Sequence, residues 1–174
     1  TVLDAVVPTI SSVGSAISNG YFVVDDVIPI KITFSEAVNV VGTPQLTLET
    51  GASDAVVNYT SGTGTNELIF NYTVASGHTS SDLAYTSTSA LVLNSGTIKD
   101  LVGNPSTLTL PAVGQTNSLS ANKDLIIDTT VPTVTNVTST SNDGSYKIGD
   151  VIPVTVTFSE VVNVVTTGGT PQLT

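Results

Sequence analysis

Apolar and polar residues alternate along several short segments, most clearly in residues 28–34, where every second side chain is large and apolar. The same pattern returns in residues 152–158. Successive side chains of a β-strand point to opposite faces, so a period of two predicts strands with one buried face. Pro29 lies within the first segment, which indicates that part of this strand is at a sheet edge or carries a bulge.

Further short strands are expected between clusters of Gly, Asn and Ser, which are typical turn residues. Their spacing of roughly 8–12 residues is typical of a β-sandwich. The sequence therefore predicts an all-β fold with antiparallel sheets and few helices. The additional predicted strands are residues 44–48, 55–60, 68–74, 83–85, 91–93, 107–110 and 125–127.

The chain also repeats itself, because residues 7–47 return as residues 131–174 with more than half of the aligned positions identical. Asp26-Val-Ile-Pro29 reappears as Asp150-Val-Ile-Pro153, and Thr33-Phe-Ser-Glu36 as Thr157-Phe-Ser-Glu160. The spacing of about 124 residues exceeds the 20–50 residues of solenoid units and matches a whole domain. We expect a complete module in residues 1–128, followed in residues 129–174 by the N-terminal part of a second, truncated module.

The connection between the two copies is the segment Ile127-Asp-Thr-Thr-Val-Pro132. It contains proline and β-branched residues instead of a Gly/Ser run, so we expect it to be stiff. Because the second copy stops part-way, we also expect a longer parent protein that carries any targeting signal or anchor.

The charge balance and the absence of cysteine exclude several classes of partner and structure. The chain has 14 Asp and Glu, 4 Lys and Arg and a formal charge of −10. Binding to phosphate groups needs Lys and Arg, so nucleic acids and anionic membrane surfaces are poor partners. No apolar run is long enough to insert into a membrane as a helix, and with no cysteine there is no disulfide framework. The acidity indicates either solubility or oxygen ligands for a hard cation such as calcium.

The repeated motifs resemble those of bacterial Ig-like repeats, which occur in tandem in large surface adhesins and secreted repeat proteins. The resemblance covers essentially the whole chain and includes Thr97-Ile-Lys-Asp100, Gly103-Asn104 and the closing Ile-Ile-Asp-Thr-Thr-Val-Pro segment. It implies an Ig-like antiparallel β-sandwich, an extracellular or cell-surface location and a role in extension or adhesion. Asp82-Leu-Ala-Tyr85 is in addition similar to the tyrosine corner of Ig-like domains.

Related modules hold calcium at domain junctions, which the resemblance extends to this chain. If strand directions follow such a sandwich, Asp4, Glu36 and Asp100 converge at the end that faces the preceding module, with Asn104 as a further oxygen donor. Calcium takes six to eight oxygen ligands and tolerates irregular geometry. The equivalent residues in the second module are Asp128 and Glu160. The alternative is that Asp4 and Asp128 cap a turn and the glutamate side chains are solvated.

Other candidate sites are weaker. Asp25, Asp26, Asp143 and Asp150 form a second acidic set, but Asp143-Gly144 is first a turn signal. His78 is the only histidine, which indicates a solvated loop residue. In the resembled repeats His78 and Ala84 are replaced by acidic residues, which argues against a cation site in that loop.

No catalytic constellation is apparent. The chain has no Gly-x-Ser-x-Gly motif and no tryptophan to line a sugar subsite, and the glycine-rich Ser61-Gly-Thr-Gly64 lacks the lysine of a phosphate-binding loop. We therefore predict a non-enzymatic protein. Three tripeptides match the N-glycosylation pattern by chance in a chain rich in Asn and Thr. They are Asn58-Tyr-Thr60, Asn71-Tyr-Thr73 and Asn136-Val-Thr138.

Three functions agree with these observations. The first is a structural extension module of a bacterial surface adhesin, stiffened at its junctions by calcium, whose partners are the neighbouring repeats. The second is a module whose loops bind a glycan or a protein. The third is a filament subunit that associates with other copies of itself by strand addition at the incomplete second module.

Overall fold

The computed structural model describes residues 5–174, which form two compact units divided after Thr129. Within these described residues, the first unit contains eleven strands and one short helix, and the second contains a two-stranded hairpin. The strands are β1 (Ile10–Ser15), β2 (Gly20–Phe22), β3 (Val27–Val41), β4 (Gln45–Glu49), β5 (Ala55–Ser61), β6 (Thr65–Thr73), β7 (Thr79–Ser80), β8 (Ala84–Tyr85), β9 (Leu91–Val92), β10 (Thr97–Asp100), β11 (Leu125–Asp128), β12 (Val134–Ser139) and β13 (Val154–Phe158), and the helix is α1 (Leu119–Asn122).

The eight-stranded sheet of the first unit has the order β1-β3-β6-β5-β4-β8, with β10 on β3 and β9 on β4. The pairing of β3 with β6 shifts register between Thr33 and Val38, and beyond this shift β3 pairs with β10. In the same way β5 pairs with β6 near its end and with β4 over its first half. These two strands pass from one layer to the other, which gives a sandwich-like arrangement.

A smaller sheet of β2, β11 and β7 lies at the end of the first unit. β2 and β11 are parallel, whereas the other strand pairs of the two units are antiparallel. Among residues 5–174, no helix is long and apolar enough to cross a membrane.

The apolar face predicted in β3 forms the centre of the core. Ile28, Ile30 and Ile32 have no exposed surface. Burial of each such side chain stabilises the fold by about 1.5–3 kcal/mol. The large, fully buried side chains that complete this core come from other strands and loops, namely Leu46, Leu48, Leu68, Phe70, Tyr72, Leu83, Tyr85 and Leu110.

The hairpin of the second unit has the register of the corresponding hairpin in the first. β1 and β3 pair Val13 with Ile32 and shift register between Ile10 and Ser12. β12 and β13 pair Val137 with Val156 and shift between Val134 and Asn136. The hydrogen bonds at the shift correspond as well, since Ser35 N–H donates to Thr9 C=O and Ser159 N–H to Thr133 C=O, each at 2.8 Å.

Pro29 lies in an interior strand, because β3 pairs with both β1 and β6. The β1 ladder nevertheless ends at Ser15 opposite Ile30, one residue from the proline. On this side the Pro29 carbonyl accepts a hydrogen bond from the Ser15 hydroxyl at 2.7 Å. The missing N–H of proline therefore falls where the ladder has already stopped.

The prediction of a strand at residues 107–110 was wrong. The segment is extended, but its backbone bonds go to separate partners, from Thr107 N–H to Pro8 and from Leu110 N–H to Thr88. No continuous ladder can form with two different neighbours. The short strands β2, β7 and β10 and the helix were not predicted, because a two- to four-residue segment carries too little periodicity.

Tyr85 is buried, and its hydroxyl donates a hydrogen bond to the carbonyl of Pro111. A tyrosine corner reaches a few residues upstream, whereas Pro111 lies well downstream in the sequence. The similarity to that motif is therefore limited to the buried tyrosine, whose hydroxyl attaches the 107–111 segment to the core.

Candidate functional site

Three of the predicted calcium ligands come from segments at one end of the first unit. The register of β10 on β3 places Asp100 opposite Val38, two positions from Glu36. Asn104 lies beside the incoming chain, because its side-chain amide donates to the Val6 carbonyl at 3.3 Å. Asp4 lies outside the described residues. The topology thus brings Glu36, Asp100 and Asn104 to the end at which the chain enters the unit.

The Asp100 carboxylate organises the loop that follows β10. Its Oδ1 accepts backbone N–H groups of Val102 at 2.9 Å, Gly103 at 2.6 Å and Asn104 at 2.7 Å. Its Oδ2 accepts the Asn104 side-chain amide at 2.6 Å. Gly103, with φ of 106°, supplies the left-handed conformation that this tight loop requires.

These hydrogen bonds set the ionisation of Asp100, which is only 3% exposed. Burial alone would raise its pKa, but donation from the backbone and side chain of Asn104 and from the Gly103 and Val102 N–H groups lowers the pKa below its ordinary value. Each donor stabilises the charged form. Asp100 is therefore a structural anion of the loop.

Asp100 already accepts four N–H donors, three at Oδ1 and one at Oδ2. Since each carboxylate oxygen has two lone pairs, a cation at Oδ1 would compete with the bonds that hold the loop, whereas Oδ2 can accept one further partner. Within residues 5–174 no three Asp, Glu, His or Cys side chains lie together as a metal-binding group. Calcium at Asp4, Glu36, Asp100, Asn104, Asp128 and Glu160 stays a prediction.

The remaining predicted ligands lie on other elements. Asp128 is the last residue of β11 and pairs with Thr79 of β7, in the small sheet at the end where the chain leaves the first unit. Glu160 belongs to the second unit, two residues after β13, and its Oε1 atom is buried without a hydrogen-bond partner. Asp128 and Glu160, which are adjacent in the predicted site of the second module, thus belong to two different units.

Two residues of the second acidic set, Asp26 and Asp150, close turns. Asp26 Oδ2 accepts the Val23 N–H at 2.8 Å, and Asp150 Oδ2 accepts the Lys147 N–H at 2.9 Å. The two bonds occupy equivalent positions of the repeat. This agrees with the turn function expected of Asp residues.

The sequence indicates Asp82 only as part of the Asp82-Leu-Ala-Tyr85 motif and not as a candidate site residue. One of its carboxylate oxygens, Oδ1, is buried without a hydrogen-bond partner. Burial raises its pKa, which the Leu125 N–H partly offsets and the nearby Asp124 charge reinforces. In the sequence, nothing distinguishes Asp82 from the other acidic residues of loops.

The comparisons with known proteins do not assign the chain. No family model, no curated protein and no solved structure matches it.

Proposed function

We propose that this chain is a non-enzymatic extension module of a bacterial cell-surface adhesin, in which Ig-like sandwich repeats follow one another in tandem. The observation that carries the proposal is the shared register of the β1–β3 and β12–β13 hairpins, with the same bulge and the same flanking hydrogen bonds. Two segments that form one supersecondary unit from similar sequences support a domain used repeatedly. The partners are then neighbouring repeats of the same chain.

The buried core and the net charge agree with a folded repeat that stays soluble in a long array. Between the two apolar layers the first unit has a continuous buried core, whereas the chain as a whole carries a charge of −10. Self-repulsion of this size keeps an extended protein soluble at high local concentration. The short junction with Pro132 restricts the backbone between modules.

Small-angle scattering of tandem arrays tests the proposal. Arrays of two, three and four complete repeats joined by residues 127–132 are compared with arrays in which this junction is replaced by a Gly/Ser linker of equal length. We expect monomers whose maximum dimension grows linearly with repeat number, in contrast to the square-root growth of the Gly/Ser control. Identical growth of the two series, or compact particles, would contradict an extension function.

A second function, that of a filament subunit, is favoured by the exposed apolar face of β13. Val154 and Phe158 of β13 are 51% and 37% exposed, and Ile152, two residues before the strand, is 44% exposed. Within the described residues β13 pairs only with β12. An open strand edge beside apolar side chains is suited to addition of a strand from another copy.

Sedimentation velocity separates the filament subunit from the spacer. A filament subunit would form species that grow with concentration and disappear when residues 130–174 are deleted. A spacer would sediment as a monomer at all concentrations. Val156→Lys provides a milder control than the deletion, because it places a charge on β13 and leaves the first unit unchanged.

A further inference from the structure

The first unit has a groove of about 500 Å³ where β5 and β6 separate. β5 pairs with β4 from Ala55 to Asn58 and with β6 only at Tyr59 and Ser61. β6 meanwhile stays paired with β3 as far as Thr73. The strands thus diverge toward opposite layers, and the volume falls in the range of small-molecule sites.

Two of the three Asn-x-Thr tripeptides line this groove from neighbouring strands. Asn58 and Thr60 of β5, and Asn71 and Thr73 of β6, are all exposed, whereas the adjacent Val57 and Tyr72 are buried. Alternation along each strand therefore points both amides and both hydroxyls outward. The remaining lining residues are Ala55, Val56 and His78, and none of the nine carries a carboxylate, Lys or Arg side chain.

Existing hydrogen bonds hold these groups in place. Gln45 Nε2 donates to Asn58 Oδ1 at 2.9 Å, which leaves the Asn58 amide hydrogens as donors. The Thr60 hydroxyl oxygen accepts the Asn71 backbone N–H at 3.3 Å and ties the two strands together where they begin to diverge. The polar lining is thus partly pre-organised.

His78 closes one end of the groove and adds a donor. Its Nδ1 accepts the Ala75 N–H at 3.3 Å and lies 2.9 Å from the Tyr72 hydroxyl. Its ring stacks on Tyr72 with centroids 5.8 Å apart. Because a backbone N–H donates to Nδ1, this nitrogen carries no proton, so the neutral imidazole has its N–H at Nε2.

We propose that this groove binds a neutral saccharide. Amides and hydroxyls that both donate and accept match the vicinal hydroxyls of a sugar. An uncharged lining in a protein of charge −10 selects against anions. The groove lies between β5 and β6 and not in the loops at either end of the sandwich. Sugar binding would therefore be a function additional to extension, and either function can fail without the other.

NMR titration of the whole chain with maltotriose and cellotriose tests the proposal, with trigalacturonate as the anionic control. His78 is the only histidine, so its imidazole signals report on the groove without assignment ambiguity. We expect saturable shifts of His78 and Asn71 with at least one neutral trisaccharide at about 10 mM, for a Kd near 1 mM. Trigalacturonate should produce no shifts at these residues.

Asn71→Ala should weaken binding about tenfold, the cost of one well-placed hydrogen-bonding group. Asn136→Ala is the matched control, because Asn136 is an exposed strand residue of the third Asn-x-Thr tripeptide and does not line the groove. Absence of shifts with both neutral sugars, equal shifts with trigalacturonate, or equal effects of the two substitutions would overturn the proposal. Backbone spectra of each variant establish that it is folded.

Discussion

The hairpins β1–β3 and β12–β13 have the same register but different surroundings. Phe34 is 1% exposed and its equivalent Phe158 is 37% exposed. In the first unit β6 covers the other edge of β3, and the opposite layer covers its apolar face. The pairing of a hairpin is therefore specified by its local sequence, whereas its burial depends on strands far along the chain. The comparison separates the residues that specify register from those that supply stability.

The largest effect is expected from truncating the two equivalent phenylalanines. Phe34→Ala should lower the free energy of unfolding of the first unit by about 3–5 kcal/mol through lost burial and a cavity. Phe158→Ala, in the second unit, should change the free energy of unfolding of the chain by less than about 0.5 kcal/mol, as substitutions of exposed residues do. Urea unfolding followed by far-ultraviolet circular dichroism measures both. Similar costs would mean that the two apolar faces are equally buried in solution.

Alkaline pH should act next most strongly, and on the first unit. Burial raises the pKa of Tyr72 and of Tyr85 to about 12. Because these values exceed the ordinary tyrosine value of about 10, the stability that each contributes is fully present below pH 10 and is lost between about pH 10 and 12. The loss per tyrosine is at most about 2–3 kcal/mol. Denaturant midpoints measured across this range should fall steeply, and less so in the Tyr72→Phe/Tyr85→Phe variant.

A smaller difference is expected between two tyrosine hydroxyls, one in each unit. Tyr85 donates to Pro111 from a buried position, and Tyr146 donates to Asn142 with 45% of its surface exposed. Tyr85→Phe should cost about 1–2 kcal/mol, because it leaves a carbonyl without its donor. Tyr146→Phe should cost almost nothing, because water replaces the bond. Equal losses in melting temperature would contradict the difference in burial.

The smallest predicted effect concerns Asp100. Hydrogen bonds depress its folded pKa below the unfolded value, so its contribution is present above the ordinary Asp range and is lost as the pH falls through the folded pKa. Asp100→Asn should therefore lower the melting temperature at pH 7 and reduce its decline in acid. Asp54→Asn, an exposed control before β5, should leave both unchanged.

The same variant tests calcium. If Asp100 only anchors its loop, a chelator will not alter the effect of Asp100→Asn on the melting temperature. If it also coordinates calcium, the wild-type chain will lose stability in chelator and the variant will not. The predicted ligands Glu36 and Glu160 can be changed to Gln in the same assay, where a calcium-dependent difference would support a site that excludes Asp100.

The alternation in residues 28–34 and 152–158 is sufficient to predict the all-β class and one strand of each hairpin, β3 and β13, whereas the partner strands β1 and β12 carry no such alternation. The internal repeat further indicated which residues are equivalent. Short strands such as β7 were missed because pairing partners, and not their own residues, determine them. The segment 107–110 was assigned wrongly for the related reason that its pattern is extended but its neighbours change.

The candidate sites were less predictable. The sequence predicts Asp100 as a calcium ligand, which stays a prediction, and the structure adds that its carboxylate accepts four hydrogen bonds within its own loop. The signal for its structural function was present in Asp100-Leu-Val-Gly-Asn104, since Asp followed by Gly and Asn is typical of turns whose side chain accepts local N–H groups. The groove between β5 and β6 could not be predicted, because it arises where two strands join different layers.

The most direct test of the repeated hairpin is a set of cross-strand nuclear Overhauser contacts in the intact chain. Because the two hairpins share one register, we expect contacts between Val137 and Val156 and between Ser139 and Val154. They should match those between Val13 and Ile32 and between Ser15 and Ile30. Contacts in the second hairpin shifted by one residue, or absent while those of the first are present, would contradict the shared register.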